Sequence, residues 1–240
     1  MKESTNPSAI YLKDYKKPDY QITDIHLTFS LSDNATQVRS EMKIKRIAEG
    51  VDLPLCLNGE ELKFKSATLN GRRLENYEYQ LEKEFLIIKQ CPTAFTLVVE
   101  NEINPQGNKA LDGLYKSGNI FCTQNEPEGF RRITYYIDRP DNMARFATRI
   151  IADKERYPVL LSNGNPVASG DLESGRHFVE WQDPFPKPSY LYALVAGDLD
   201  MVRDSFITMS GRKIDLRIYC DKGNGPKCQH AMISLKKAMK

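Results

Sequence analysis

Apolar and polar residues alternate with a period of two along most of this chain. In residues 25–31 four apolar positions, beginning at Ile25 and ending at Leu31, are separated by three polar ones. Because successive side chains of a strand point to opposite faces, this alternation predicts a strand with one buried face. The pattern recurs in residues 38–46, and short apolar runs follow at 53–57, 62–69, 85–89, 95–100, 133–137, 146–152, 159–162, 177–181 and 190–197.

The residues between and within these runs refine the prediction. Asn70-Gly71 separates two alternating segments and is typical of a type I′ hairpin turn. Residues 133–137 (ITYYI) are predicted to form a strand, with Tyr135 and Tyr136 on opposite faces. Residues 181–190 (WQDPFPKPSY) are predicted to be an extended connector, because proline cannot donate to a sheet ladder. Strands at this spacing predict a mainly β fold, an antiparallel β-sandwich, up to about residue 198.

The last forty residues have a different pattern. Residues 201–211 and 212–220 predict a hairpin, and residues 228–240 form the clearest amphipathic helix of the sequence, with Met232, Leu235 and Met239 on one face. This helix reaches Lys240 without a Gly or Asn that would cap it. We therefore expect residues 199–240 to begin a second domain and the sequence to be truncated within it.

Composition and charge exclude several classes of protein. The 240 residues include 34 Lys and Arg against 32 Asp and Glu, a net charge of +2, whereas a dedicated nucleic-acid-binding protein would carry a strong basic excess. No apolar run approaches the ~18 residues of a membrane span, and the first residues have no signal-peptide pattern. The five cysteines are scattered and odd in number, which favours reduced thiols in the cytoplasm.

Sequence motifs reveal no complete catalytic or metal-binding site. The three histidines lie far apart, and His26 and His177 are expected to face solvent or to be bonded locally. Cys220, Cys228 and His230 have a spacing that matches no standard zinc site. The H-E-x-x-H, G-x-S-x-G, P-loop and G-x-G-x-x-G motifs are all missing from the sequence.

Residues 111–142 contain the segment with the most polar chemistry. Gln124, Glu126 and Glu128 lie close together between predicted buried strands. A polar loop on a rigid scaffold often carries a binding group. A solvated acidic turn, balanced by Arg131 and Arg132, is the other interpretation that the residues alone allow.

Long runs of this sequence resemble the N-terminal part of the bacterial aminopeptidase N family of zinc metallo-aminopeptidases. The runs are LDGLYKSG, CTQNEPEGFRRITYYIDRPD, RYPVLLSNGN and WQDPFPKPSYLYALVAGDL. YKKPDYQITDIHLTF and LCLNGEEL extend the resemblance to nearly the whole chain. It implies a saddle-like β-sandwich over residues 1–198, followed over residues 199–240 by the first hairpin and helix of a thermolysin-like catalytic domain.

The resemblance also implies a division of roles. Glu126 is expected to bind the free α-amine of the substrate and Gln124 to line the pocket for the first side chain, whereas Glu128 is expected to pair with Arg131 or Arg132. The family's zinc and exopeptidase motifs would lie beyond Lys240. Zinc is therefore expected in the full-length enzyme but bound outside this chain, which would hold no catalytic residue, no cofactor and no activity of its own.

The expected partners follow from the same resemblance. They are peptide substrates and the enzyme's own catalytic domain, in a cytoplasmic monomer that binds neither nucleic acid nor membrane. The alternative is a freestanding, non-catalytic β-sandwich binding module. A large exposed apolar surface on residues 199–240 would argue against that alternative.

Overall fold

The computed structural model describes residues 11–49 and 53–240, and strands account for most of the regular structure in these ranges, which confirms the mainly β fold. The strands are β1 (Tyr20–Ser30), β2 (Thr36–Arg46), β3 (Leu55–Asn58), β4 (Lys63–Leu69), β5 (Arg72–Arg73), β6 (Tyr79–Leu81), β7 (Phe85–Ile88), β8 (Ala94–Ile103), β9 (Gly113–Ser117), β10 (Ile120–Gln124), β11 (Ala144–Asp153), β12 (Val159–Ser162), β13 (Asn165–Asp171), β14 (Arg176–Lys187), β15 (Leu194–Gly197), β16 (Leu199–Ile207) and β17 (Lys213–Asp221). The α-helix α1 spans Gln229–Ala238, and short 3-10 helices span Leu12–Asp14, Phe130–Arg132, Ser189–Leu191 and Gly225–Cys228.

The largest sheet has eight strands in the order β13-β14-β11-β1-β2-β8-β4-β5. Neighbouring strands are antiparallel except β1 and β11, which pair in parallel with Ile25 opposite Phe146. Two parallel strands need a crossover connection. Here residues 31–143, which lie between β1 and β11 in the sequence, form that connection. The predicted turn between β4 and β5 is confirmed, since Asn70 and Gly71 both have the positive φ that a type I′ turn requires.

Two smaller antiparallel sheets complete the sandwich. One has the order β12-β15-β10-β9 and the other β3-β7-β6. All three sheets contribute to one hydrophobic cluster, which includes Leu27 and Phe29 of the large sheet, Phe121 of β10 and Leu57 of β3. The alternation predicted for residues 25–31 is confirmed, because Ile25, Leu27, Phe29 and Leu31 are all buried.

Residues 199–240 contain a two-stranded sheet and the α-helix α1. Strands β16 and β17 pair only with each other among the described strands, and α1 follows them as predicted. Met232 of α1 is buried, whereas Met201, Ile207, Met209 and Ile233 are exposed. Within residues 11–49 and 53–240 no helix has the length and apolar character needed to cross a lipid bilayer.

The prediction of a strand over residues 133–137 is wrong. The chain forms the 3-10 helix Phe130–Arg132 and then an irregular segment in which Tyr136 makes an isolated bridge to Asn58. Tyr135 and Tyr136 are both buried, so they do not divide between a buried and an exposed face. A short apolar run indicates burial but does not distinguish a strand from a buried irregular segment.

The prediction of a connector over residues 181–190 is also wrong in its first part. Trp181 to Lys187 continue β14 and pair with β11, with a register shift between Ala144 and Phe146. On the other side β13 pairs only as far as Gln182. The residues that include Pro184 and Pro186 therefore lie on a free edge, where a missing N–H donor is tolerated.

Candidate functional site

The segment with the most polar chemistry begins at the end of a hairpin. Strands β9 and β10 pair with Gln124 opposite Gly113, and β10 also pairs with β15 through Phe121 and Cys122. Gln124 is the last residue of β10, and residues 125–129 leave the sheet as a loop. The predicted polar loop is therefore present from Asn125 onward, whereas Gln124 lies at the end of the strand before it.

Buried and exposed residues alternate at the start of this loop. Gln124 and Glu126 are exposed, whereas Asn125 between them is 3% exposed. The side-chain Nδ2 of Asn125 donates a 2.7 Å hydrogen bond to the backbone carbonyl of Tyr192. Because the middle residue is tied to the interior, its two neighbours are held at the surface.

A tight turn forms the rest of the loop. The backbone N–H of Gly129 donates to the carbonyl of Glu126 at 3.0 Å, which closes a four-residue turn. A Cβ atom on Gly129 would lie 2.7 Å from the carbonyl oxygen of Gln124 and 2.9 Å from the Cα of Asn125. Since both atoms belong to the backbone, glycine is the residue that allows the two ends of the loop to approach.

An aromatic cluster holds the residue after the turn. Phe130 is fully buried, and its ring centroid lies 4.9 Å from that of Tyr136, 5.4 Å from that of Tyr192 and 5.9 Å from that of Phe146, in edge-to-face geometry. Such pairs contribute about 0.5–1.5 kcal/mol beyond area burial. Tyr192 therefore contacts the loop through its carbonyl at Asn125 and the residue after the loop through its ring at Phe130.

Charged side chains join the end of the loop to the interior. The predicted ion pair of Glu128 is present, with its Oε2 3.0 Å from Nη1 of Arg131. Arg131 also donates from its backbone N–H and from Nε to Oδ2 of Asp138, each at 3.1 Å. The Oδ1 atom of Asp138 accepts a 2.7 Å hydrogen bond from Ser189 Oγ.

Burial controls the ionisation of the two tyrosines beneath the loop. Burial raises the pKa of Tyr136, and the negative charge of Asp138 raises it further, against a smaller opposing effect of the hydrogen bond from Asn142. Burial likewise raises the pKa of Tyr192. Both side chains are therefore neutral phenols near pH 7, and they support the loop by packing.

The described residues offer no ligand set for a metal. No three His, Cys, Asp or Glu side chains come together as metal ligands within residues 11–49 and 53–240. His177 is buried and its Nε2 lies 2.8 Å from the carbonyl of Tyr157, which confirms the expectation of a locally bonded histidine.

Sequence reasoning missed the residues that anchor the loop. Asn125, Asp138, Ser189 and Tyr192 are all nearly inaccessible to solvent. Nothing in the sequence indicated that Asn125 is buried, because a single polar residue in a polar loop is expected to be exposed. Asp138 follows a run that was assigned to a strand, and only the three-dimensional contacts show that it is paired.

Comparison with known proteins assigns a family to this fold. Residues 15–191 match the family described as the Peptidase M1 N-terminal domain. The chain is 55% identical over 234 residues to Aminopeptidase N of Escherichia coli (strain K12) and 50% identical over 233 residues to Aminopeptidase N of Haemophilus influenzae. These matches cover 98% and 97% of this chain but only 27% of each relative, so the chain spans about a quarter of their length.

Solved structures agree with this assignment. The chain is similar to aminopeptidase A of Legionella pneumophila, solved in complex with aspartic acid, with a TM-score of 0.90 and 38% identity over 95% of this chain and 27% of that one. An M1 zinc metallopeptidase of Deinococcus radiodurans has the same fold, with a TM-score of 0.73 at 14% identity over 86% of this chain and 49% of that one. The chain belongs to the peptidase M1 family, and residues 15–191 correspond to the N-terminal domain of that family.

Proposed function

We propose that this chain is the N-terminal domain of a zinc aminopeptidase and that the end of β10 and the loop after it, with Gln124 and Glu126, bind the N-terminus of a peptide substrate. The observation that carries the proposal is the exposed carboxylate of Glu126 beside the buried anchor Asn125. Within the described ranges Glu126 has no ion-pair partner, whereas Glu128 is paired with Arg131. A free carboxylate on a fixed loop is suited to accept a charge-assisted hydrogen bond from an ammonium group.

This contact would explain selection of the first residue of a peptide. A free N-terminus carries a cation, and an internal peptide bond does not. The carboxylate of Glu126 therefore favours a peptide that presents its α-amine at the loop. Because the amine would be held at a fixed point, the first peptide bond would also be held at a fixed distance from it.

Gln124 is proposed to contact the first side chain of the substrate. Its amide is neutral and carries both donors and acceptors, so it can line a pocket without demanding a charge. Only one residue separates it from Glu126. The same anchored stretch would therefore present the subsite for the amine and one wall of the subsite for the side chain.

Zinc is proposed to be held by residues outside this chain. The ligand set that a metallopeptidase needs does not occur among the described residues. A relative of the same fold is named as a zinc metallopeptidase, and the chain spans 27% of Aminopeptidase N of Escherichia coli. This chain alone is therefore expected to bind peptide termini weakly and to hydrolyse nothing.

The domain boundary is proposed to lie between residues 198 and 199. The main hydrophobic cluster draws its described members from residues up to Ala196, and the hairpin β16–β17 forms a sheet of its own. The exposed apolar side chains Met201, Ile207, Met209 and Ile233 support a catalytic domain as the partner that covers this unit. They argue against the alternative of a freestanding binding module.

The free cysteines support a proposal about the cellular setting. The five cysteines Cys56, Cys91, Cys122, Cys220 and Cys228 are all free, which supports a reducing compartment. We propose that the protein is a cytoplasmic monomer that acts on peptides and contacts neither nucleic acid nor membrane.

The proposal is tested with the complete gene product and with residues 1–240 alone. Each is assayed on an aminoacyl chromogenic amide and on its N-acetylated analogue, before and after removal and return of zinc. The complete product should hydrolyse only the free-amine substrate and should lose activity without zinc, whereas residues 1–240 should be inactive. A complete product without aminopeptidase activity would contradict the proposal and favour the freestanding module.

A further inference from the structure

Asp138 is a buried charged residue that contacts both Arg131, just after the loop, and the distant Ser189. It is 4% exposed, and its carboxylate accepts hydrogen bonds from Arg131 and Ser189. Its own backbone also takes part, since its carbonyl accepts from Nη2 of Arg131 at 3.2 Å and its N–H donates to Oδ1 of Asn58 at 3.3 Å. A carboxylate this deeply buried cannot touch a substrate, so its role must act through the residues it holds.

The contacts of Asp138 fix the second end of the loop. Arg131 follows directly after the turn and Phe130, and Asp138 holds both its backbone N–H and its guanidinium. The guanidinium then reaches Glu128 in the loop itself, at 3.0 Å. Fixing the guanidinium therefore also fixes a side chain two residues from Glu126.

The same carboxylate ties the loop to a distant segment of the chain. Ser189 begins the 3-10 helix Ser189–Leu191, which is followed directly by Tyr192. Asn125 binds the carbonyl of Tyr192 at the first end of the loop, and Asp138 binds Ser189 at the second. Residues 189–192 thus contact Asn125, between Gln124 and Glu126, directly, and they reach Arg131, after the turn, through Asp138.

We infer that Asp138 is a positioning residue that holds Glu126 at the place where it binds the α-amine of the substrate. The inference rests on the proposed function of Glu126. Arg131 carries the effect at the end of the loop, and Ser189 connects the carboxylate to the segment that anchors the other end. Removing the charge of Asp138 would leave the guanidinium with Glu128 as its nearest acidic partner and would free the turn to move.

The test is a double-mutant cycle in the complete gene product. The variants are Asp138→Asn, Glu126→Gln and the two combined, and Asp171→Asn is the control because it breaks an exposed ion pair with Lys154 far from the loop in sequence. The kcat/KM for a free-amine substrate is measured together with the thermal midpoint of each variant.

Asp138→Asn should lower kcat/KM about tenfold in the parent, since a small misplacement of a binding group lowers the rate strongly. In the Glu126→Gln background the Asp138→Asn substitution should lower kcat/KM less than about twofold. The effects of two substitutions do not add when one residue acts through the other.

Each outcome of the cycle has a definite meaning. If Glu126→Gln alone has no effect, the proposed function fails before the positioning role is reached. If Glu126→Gln lowers kcat/KM but the loss from Asp138→Asn is absent or fully additive, Asp138 is a structural residue and the inference is overturned. Should Asp138→Asn not fold, Ser189→Ala removes only the 2.7 Å hydrogen bond and must show the same coupling to Glu126 with a loss of about two- to fivefold.

Discussion

The side-chain amide of Asn125 donates a 2.7 Å hydrogen bond to the carbonyl of Tyr192, 67 residues further along the chain. The bond lies in the interior, so removing the donor leaves a buried carbonyl without its partner. We expect Asn125→Ala to lower the free energy of unfolding by about 1–3 kcal/mol, measured by chemical denaturation. Asn119→Ala, at an exposed position in the β9–β10 turn, is the control and should change it by less than about 0.5 kcal/mol. Equal losses in the two variants would contradict the anchoring role of Asn125.

Gly129 is required by space. A Cβ at this position would meet the backbone of Gln124 and Asn125 at 2.7 and 2.9 Å, distances that backbone atoms cannot relieve without moving the loop. Gly129→Ala is therefore expected to lower the free energy of unfolding by about 1–3 kcal/mol. Gly225→Ala is the control, because a Cβ there would have its nearest neighbour at 3.8 Å. If thermal unfolding shows that Gly129→Ala is no less stable than Gly225→Ala, the loop accommodates a Cβ atom at position 129 and the prediction is contradicted.

Asp33 contacts three cationic or hydroxyl groups, on Lys116 of β9 and on Arg156 and Tyr157 between β11 and β12. Its carboxylate lies 3.2 Å from Nζ of Lys116, whose side chain is 5% exposed, 2.9 Å from Nη2 of Arg156 and 3.0 Å from the hydroxyl of Tyr157. Partial burial works to raise the pKa of Asp33, but hydrogen bonds from Arg156, Tyr157 and Lys116 outweigh it, so the pKa lies below its usual range.

This lowered pKa predicts a dependence of stability on pH. A carboxyl whose pKa is lower in the folded state contributes stability above its unfolded pKa of about 4 and loses it as the pH falls through the folded value. At pH 7 Asp33→Asn should be less stable than the parent by about 1–2 kcal/mol. The difference should shrink steadily as unfolding is measured at lower pH below about 4. A difference that stays constant down to pH 2 would contradict the ionic contribution of Asp33.

Much of the fold could be predicted from periodicity, because a strand with one buried face alternates apolar and polar residues. The alternation from Ile25 to Leu31, the Asn70-Gly71 turn and the hairpin and helix after residue 199 were all correctly predicted. The parallel pairing of β1 with β11 was not, since the alternation within a strand says nothing about the direction of its neighbour. The strand prediction for residues 133–137 was wrong for a related reason. A segment that is buried on every side has the same apolar run whether it is a strand or irregular.

The candidate site was predictable only at its surface. Gln124, Glu126 and Glu128 were singled out as polar residues of one segment, and Glu128 was expected to pair with Arg131 or Arg132, of which the structure shows Arg131. The anchors Asn125, Asp138 and Ser189 act across 51 to 67 residues of sequence, and separations of that size leave no local pattern. The roles of Gln124 and Glu126 toward a substrate stay predictions that rest on the family resemblance.

The central claim is that Glu126 captures the α-amine of the substrate, and one comparison tests it most directly. The kcat/KM of the complete gene product on a free-amine substrate is measured for the parent, for Glu126→Gln and for Glu155→Gln, a control at an exposed glutamate outside the loop. Replacing the carboxylate removes a charge-assisted hydrogen bond, so Glu126→Gln should lower kcat/KM about 10- to 100-fold, while Glu155→Gln leaves it unchanged. A Glu126→Gln variant as efficient as the parent would contradict the account.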